Sequence, residues 1–279
     1  MKIVEYEAKK GISRSNLPEL DYAVNPYSGC QHRCLYCFAI NFTSVPEARE
    51  NWGKVVYAKT NIVKLLKQEI NGLRRGIVGI STITDPYQPA EAKYKLTGGT
   101  VELLAKNGFR VTIQTKSPLA RRDIEIFKRY RNSLDLGVTI TTLDRRKAMI
   151  IEPQTPSPQE RSRLLIDLKE EKIPTWIFLG PIIREFNDNY ENLNGIFSLA
   201  SMTGSRVIYD FYAQYNGSKE LMMKEFPGYV PDDAFHGDQS WKSRVTKLIE
   251  NIAEEHSVKC NSQADEWVAS KAQAGQRFL

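Results

Sequence analysis

Apolar positions along the chain fall into two alternating rhythms. In 61–75 (NIVKLLKQEINGLRR), Ile62, Leu65, Leu66 and Ile70 stand at helical spacing and predict an amphipathic helix. The next segment, GIVGISTIT (76–84), is short, apolar and β-branched, and predicts a strand. The alternation continues with a helix over 100–107 and a strand over 109–115 (FRVTIQT). A further helix is predicted from Ser117-Pro118 to about Tyr130, with the serine as cap and the proline in the first turn. Residues 134–142 (LDLGVTITT) predict another strand.

The segment PQTPSP (153–158) has the composition of a linker, but Ser157-Pro158-Gln159-Glu160 forms a capping box with proline at the first helical position. It predicts a helix to about Glu171. A strand over 173–183, a helix over 190–202, a strand over 206–213 and a helix over 239–256 follow. The polar segment after Ser257 has no clear period, and a sixth strand fits 22–25, ahead of the cysteines. Strands alternating with helices imply βα units and a mostly parallel sheet. The expected fold is therefore α/β, a partial (β/α)6 barrel over 1–215 with a C-terminal helical extension over 216–279. In such sheets the site lies at the C-terminal strand ends. This directs attention to 82–85, 115–117, 139–142, 180–184 and 210–214.

Composition narrows the class. With 41% hydrophobic and 26% charged residues among 279, wholesale disorder is excluded. The longest apolar-rich stretch, 173–183, is interrupted by Pro174, Thr175 and Pro181, well short of the roughly 18 residues of a membrane span. The opening MKIVEYEAKK has acids and no long apolar core, unlike a secretory signal, so a cytoplasmic location is expected. The net charge of +6 permits a phosphate-bearing partner without requiring one. Basic runs such as Arg121-Arg122 and Arg145-Arg146-Lys147 read first as solvated faces.

Cysteine usage is more specific. Three of the four, Cys30, Cys34 and Cys37, fall within eight residues in GCQHRCLYCF. Three thiolates on one short loop suit three irons of a [4Fe–4S] cube and leave the fourth iron open for chemistry. A zinc site completed by His32 or Cys260 is the alternative. Structural zinc usually pairs two short knuckles, and no second knuckle exists here.

The pattern CxxxCx(aromatic)C, with Tyr36 before the last cysteine, resembles the radical S-adenosylmethionine (SAM) signature. NPYSGCQHRCLYCFA, ITDPYQPAE, TKSPLARRDIE and EPQTPSPQER resemble the spore photoproduct lyase-like branch over roughly residues 20–200. The resemblance implies a [4Fe–4S] cluster held by Cys30, Cys34 and Cys37. SAM would be cleaved reductively to a 5′-deoxyadenosyl radical that abstracts hydrogen from substrate. It also implies an electron donor such as flavodoxin or ferredoxin. Residue by residue, Tyr36 matches a contact to the adenine, Thr84 a serine at the SAM methionyl end, Lys116 a lysine near the SAM carboxylate, and Thr139 another SAM-contacting serine.

Two departures matter. Thr84-Asp85 stands where many family members carry a Gly-Gly-Glu run. Thr82 stands where spore photoproduct lyase has its hydrogen-donor cysteine. The expected substrate is a nucleotide or nucleic acid, with hydrogen abstraction on a small metabolite or peptide as the alternative. A non-enzymatic iron–sulfur or zinc module is a third reading. No catalytic residue is assigned. Asp85, Tyr87, Glu91, Glu152, Arg184 and Asn187 are candidates to face substrate. Aromatics at 209, 211, 212 and 215 are candidates to pack or to stack on a base. Cys260 is a lone thiol and a candidate late hydrogen donor, while His236 and His256 read as surface residues.

Overall fold

In the computed structural model, described over residues 1–228 and 237–266, a central sheet of eight strands organises the chain. Its members are β2 (Ser13–Arg14), β3 (Tyr22–Val24), β6 (Ile77–Ile80), β7 (Arg110–Thr115), β8 (Leu134–Thr139), β9 (Thr175–Ile182), β10 (Arg206–Phe211) and β11 (Cys260–Ser262). The order is β11-β10-β9-β8-β7-β6-β3-β2. Every neighbouring pair is parallel except β2 with β3. The six expected parallel strands, β3 and β6 to β10, therefore lie side by side in chain order. β2 and β11 stand at opposite edges, so the barrel is open.

The two faces of the sheet differ as the strand period requires. Val78, Ile80, Val111, Ile113, Leu136, Val138, Ile177, Leu179 and Val207 enter one large apolar core. Helices α3 (Ile62–Glu69), α5 (Leu96–Lys106), α8 (Pro158–Glu170) and α9 (Tyr190–Thr203) supply its other half. The opposite, concave-side face carries Gly79 beside Thr112, Gln114 beside Gly137 and Trp176, and Thr139 beside Phe178. Gly137 is required there, because a Cβ would meet the Trp176 indole at 2.4 Å.

The capping box at Ser157 forms as expected and opens α8. Ser117 also caps, accepting from the Leu119 N–H. The turn after it is a 3-10 helix over Pro118–Asp123, however, and only α6 (Ile124–Arg129) is α-helical. Arg122 and Asp123 are drawn toward Glu91 and Tyr87 by side-chain bonds, which hold this stretch close to the sheet.

A second, smaller sheet was not apparent from the pattern. It joins β1 (Lys2–Tyr6), β5 (Val55–Lys59) and β4 (Tyr27–Ser28) in the order β1-β5-β4. Short helices α1 (Ala39–Phe42), α2 (Pro46–Glu50), α4 (Ala90–Tyr94), α7 (Arg145–Ile151) and α10 (Asn216–Glu225) fill the connections. Helix α11 (Gln239–Glu255) buries Trp241, Val245, Ile249, Ile252 and Ala253 against the main core. The polar segment beyond it supplies edge strand β11. No helix among the described residues is long and apolar enough to cross a membrane.

Candidate functional site

The cysteine loop begins where β4 ends. Gly29 turns the chain with φ +85°, and a Cβ there would lie 2.5 Å from the Val55 carbonyl oxygen. The loop is then laced to the segment after β6 by two glutamines. Gln88 Oε1 accepts from the Gln31 N–H at 2.9 Å, and Gln31 Oε1 accepts from the Ala90 N–H at 2.5 Å. Thr84 Oγ1 donates to the Gly29 carbonyl at 2.7 Å and accepts from Gln88 Nε2 at 2.9 Å. The Thr84 hydroxyl thus fixes the loop backbone.

The loop presents three thiols above the sheet. Cys30 and Cys34 are buried and Cys37 is partly buried. Burial is the largest influence on each and pushes all three up to about 12, while Lys116 pulls Cys34 and Cys37 the other way. Among the described residues, no three Cys, His, Asp or Glu side chains converge as the ligands of one metal ion do.

Asp85 ties the loop to two strand ends. It accepts from the Tyr87 N–H at 2.8 Å, the Thr115 hydroxyl at 2.7 Å and the Lys116 N–H at 2.8 Å. His32 Nδ1 lies 3.3 Å from Asp85 Oδ2, close enough for an ion pair but without hydrogen-bond alignment. Burial works to raise the Asp85 carboxyl, yet His32 and these donors hold it down at about 2. Neither ring nitrogen of the buried His32 has a hydrogen-bond partner, and the buried Ser81 hydroxyl has none. Ser81 also holds a left-handed backbone, φ +60°, at the end of β6. Nothing in the sequence singled it out.

The C-terminal half of the loop rests on a buried ion pair. Arg161 and Glu152 are almost wholly inaccessible, with Arg161 Nη2 2.5 Å from Glu152 Oε2. Arg161 also donates to the Thr139 carbonyl, the Pro156 carbonyl and the Thr155 hydroxyl. Tyr36 donates its hydroxyl to Glu152, and Thr141 donates to the same oxygen at 2.9 Å. Lys116 Nζ lies 5.7 Å from the centre of the Tyr36 ring. Burial works to lower the Lys116 ammonium, but attraction to Cys34, Glu152 and Cys37 in their anionic forms outweighs it and raises it above the ordinary lysine value. Thr139 Oγ1 accepts from Gln114 Nε2 at 3.0 Å and keeps its own proton to donate.

Most residues expected to face substrate are structural instead. Glu91 is fully buried, accepting from Tyr27 and from the Leu96 and Thr97 N–H groups while pairing with Arg122. Tyr87 donates to Asp123, and Asn187 bridges Ile183, Thr141 and Pro181. Asp85 and Glu152 serve the loop as described. Arg184 is partly exposed and lies near Glu185 and Asp238. Tyr209 and Tyr212 are buried, whereas Phe211 packs on Trp241 and Tyr215 on Phe38 and Phe42. Cys260 stands in register with Val207 and packs on the helix-side core, away from the concave face. His256 bonds Asn194, and His236 lies outside the described residues.

The model of the radical SAM superfamily matches residues 24–193, which span the loop, four of the six parallel strands and the last residue of a fifth, β3. The chain belongs to the radical SAM superfamily. It is thus a radical SAM enzyme, and the family implies SAM and an iron–sulfur cluster. An uncharacterized protein of Methanocaldococcus jannaschii is 34% identical over 188 residues, covering 67% of this chain and 70% of the relative. An uncharacterized protein of Mycobacterium tuberculosis is 29% identical over 207 residues, covering 71% of this chain and 60% of its own length. Among solved structures, a spore photoproduct lyase variant with bound AdoMet and dinucleoside spore photoproduct superposes with a TM-score of 0.73. The identity is 12%, over 94% of this chain and 81% of that one. Streptococcus suis SuiB bound to S-adenosylmethionine gives a TM-score of 0.58 at 14% identity, over 86% and 49% of the two chains. At such identities the likeness is one of fold.

Proposed function

We propose that Cys30, Cys34 and Cys37 hold a [4Fe–4S] cluster, that Lys116 binds the SAM carboxylate, and that the substrate is a nucleotide or nucleic acid. The observation that carries this reading is the grouping of three sheltered thiols on one short loop beside the Lys116 ammonium at the C-terminal strand ends. The donor set fits the cluster, since soft thiolates are the ligands iron–sulfur centres take. When bound, the cluster and SAM supply the one-electron chemistry that removes a hydrogen atom from a substrate carbon. The protein's part is to hold, orient and shield. Lys116 offers a cation for a carboxylate, Tyr36 offers its ring and backbone to the adenine, and Thr139 offers a hydroxyl proton. Thr84 serves the methionyl end through Gly29, whose carbonyl it holds. A flavodoxin or ferredoxin supplies the electron.

The nucleotide reading is supported by the dinucleoside photoproduct bound in the structurally similar lyase and by the net charge of +6. A small metabolite or peptide is the second reading, favoured by Thr82. Its hydroxyl sits 3.5 Å from Asn25 Oδ1 where the resemblance places a donor thiol, and Cys260 faces the other side of the sheet. Anaerobic reconstitution with SAM and dithionite tests the shared chemistry, with 5′-deoxyadenosine as the expected product. Salt-dependent oligonucleotide binding separates the two substrate readings.

Two expectations follow from the site. Lys116→Ala should weaken SAM binding about 10- to 100-fold, the worth of a charge-assisted bond of about 1.5–3 kcal/mol, with iron content unchanged. Equal SAM affinity, measured with the cluster oxidised, would place the ammonium elsewhere. The wild-type enzyme should also fail to repair spore photoproduct efficiently, because a hydroxyl hydrogen is held far more strongly than a thiol hydrogen. Multiple-turnover repair of the synthetic dinucleotide, persisting in Cys260→Ala, contradicts this, whereas gain of repair in Thr82→Cys supports it.

A further inference from the structure

Beside the cysteine loop, three aromatic side chains stand out of the surface together. Phe38, Phe42 and Tyr215 are 42%, 56% and 38% exposed, and their ring centroids lie 5.9, 6.2 and 6.0 Å apart. Single exposed apolar residues are ordinary, but a contiguous cluster marks a contact surface. We propose that this aromatic knob is the docking point of a small acidic one-electron carrier protein, which delivers the electron that the radical chemistry consumes.

The knob is a fixed feature. Asn41 Oδ1 accepts from the Gly217 N–H at 3.0 Å, joining α1 to α10. Gly217 sits so close to Ile40 that a Cβ would lie 2.6 Å from its Cγ2. Beneath, Leu221 and Cys37 pack on the apolar cluster of Cys30, Ala39, Ile40 and Trp52. Phe38 and Phe42 are therefore mounted on the element that follows the loop, and Tyr215 is set against them from the start of α10.

Position argues for electron delivery. Phe38 directly follows Cys37, the least buried of the three loop thiols. Electron transfer between proteins weakens steeply with distance, so a carrier gains by docking where a ligand of the cluster comes nearest the surface.

Shape argues for a protein rather than a nucleobase. The rings meet at 65°, 70° and 48°, covering parts of one another's faces. Base stacking needs an open face. A knob of tilted and edge-to-face rings suits an apolar socket on a protein. The small patch accords with the limited interfaces of transient redox encounters. The chain's net charge of +6 complements an acidic carrier and steers its approach.

The proposal rests on the cluster assignment above. Its step moves one electron: the carrier's reduced flavin or iron–sulfur group is oxidised by one, the cluster is reduced by one, and no bond forms or breaks.

The test compares reductants on anaerobically reconstituted full-length enzyme. Formation of 5′-deoxyadenosine is measured with reduced flavodoxin, with reduced ferredoxin and with dithionite, for wild type and for Phe42→Ala/Tyr215→Ala. Phe42→Asp serves as a second variant, and iron content is measured for all. The variants should lose about tenfold or more of the rate with a carrier that serves the wild type, while the dithionite rate and iron content hold. Four results overturn the proposal: unchanged carrier rates in the variants, a parallel fall with dithionite, a wild type that takes electrons from neither carrier, or loss of single-stranded oligonucleotide binding with carrier rates intact. A wild type without product even under dithionite is a distinct result, since it overturns the cluster assignment itself.

Discussion

A chain in which Cys30, Cys34 and Cys37 are all replaced by Ala is expected to leave anaerobic reconstitution without iron, where wild type takes up about four irons. Formation of 5′-deoxyadenosine should fall to background, more than the roughly 10- to 100-fold typical of changes to groups that only support metal ligands. Alanine removes the thiolate and offers nothing in its place. Cys260 cannot substitute, because β11 directs it to the helix side of the sheet. The fold should survive. The loop is held by Gln31, Gln88, Thr84 and Asp85, none of which the substitution touches. Burial keeps the wild-type thiols protonated near neutral pH before iron arrives, so no buried charge is lost with them. Circular dichroism should match wild type. Iron retained near the wild-type level, together with SAM cleavage, would falsify the ligand assignment.

The legible part of this fold was what periodicity and spacing encode. Six parallel strands followed from apolar segments of strand length, and α8 followed from Ser157 and Glu160 through an apparent linker. The cysteine spacing carried the family. What escaped depends on tertiary partners. β11 is Cys-Asn-Ser, a sequence of little strand propensity that pairs because β10 presents an edge to it. β4 is two residues long and exists only against β5. Asp85, Glu91 and Glu152 sit near strand ends, and sequence position alone could not separate a carboxylate open to substrate from one locked in the frame.

One signal could have separated them. On α8, the buried residues are Pro158, Arg161, Leu164, Leu165 and Leu168, which places Arg161 on the apolar stripe. A guanidinium keeps its charge at any ordinary pH, so a buried one demands a carboxylate. That reasoning identifies Glu152, nine residues earlier, as a partner rather than a substrate contact. The converse holds for Glu91, a wholly buried carboxylate that takes Arg122 as its cation.

Removing that carboxylate is the largest stability change we expect. Glu152→Ala should destabilise the protein by about 3–5 kcal/mol, because it strands the Arg161 charge in the interior. Against a typical total of about 5–15 kcal/mol, this is a major fraction. Glu152→Met combined with Arg161→Met should recover most of the loss, since an apolar pair carries no desolvation cost. Burial works to raise the Glu152 carboxyl, but Arg161 and Lys116, with bonds from Arg161 and Tyr36, hold it at about 2. Its folded value lies below the ordinary 4.5, so its stabilisation is full above that pH and disappears as pH falls toward 2. Urea unfolding of Glu152→Gln should accordingly show a flatter acid limb over this interval than wild type. A Glu152→Ala chain that loses less than about 1 kcal/mol, or a double variant no more stable than the single, would mean that the pair contributes little. The consequence for the site is direct. Tyr36 loses the acceptor of its hydroxyl, and the half of the loop bearing Cys34 and Cys37 loses its anchor to α8. SAM affinity should therefore fall in Glu152→Ala even at temperatures where the fold is intact.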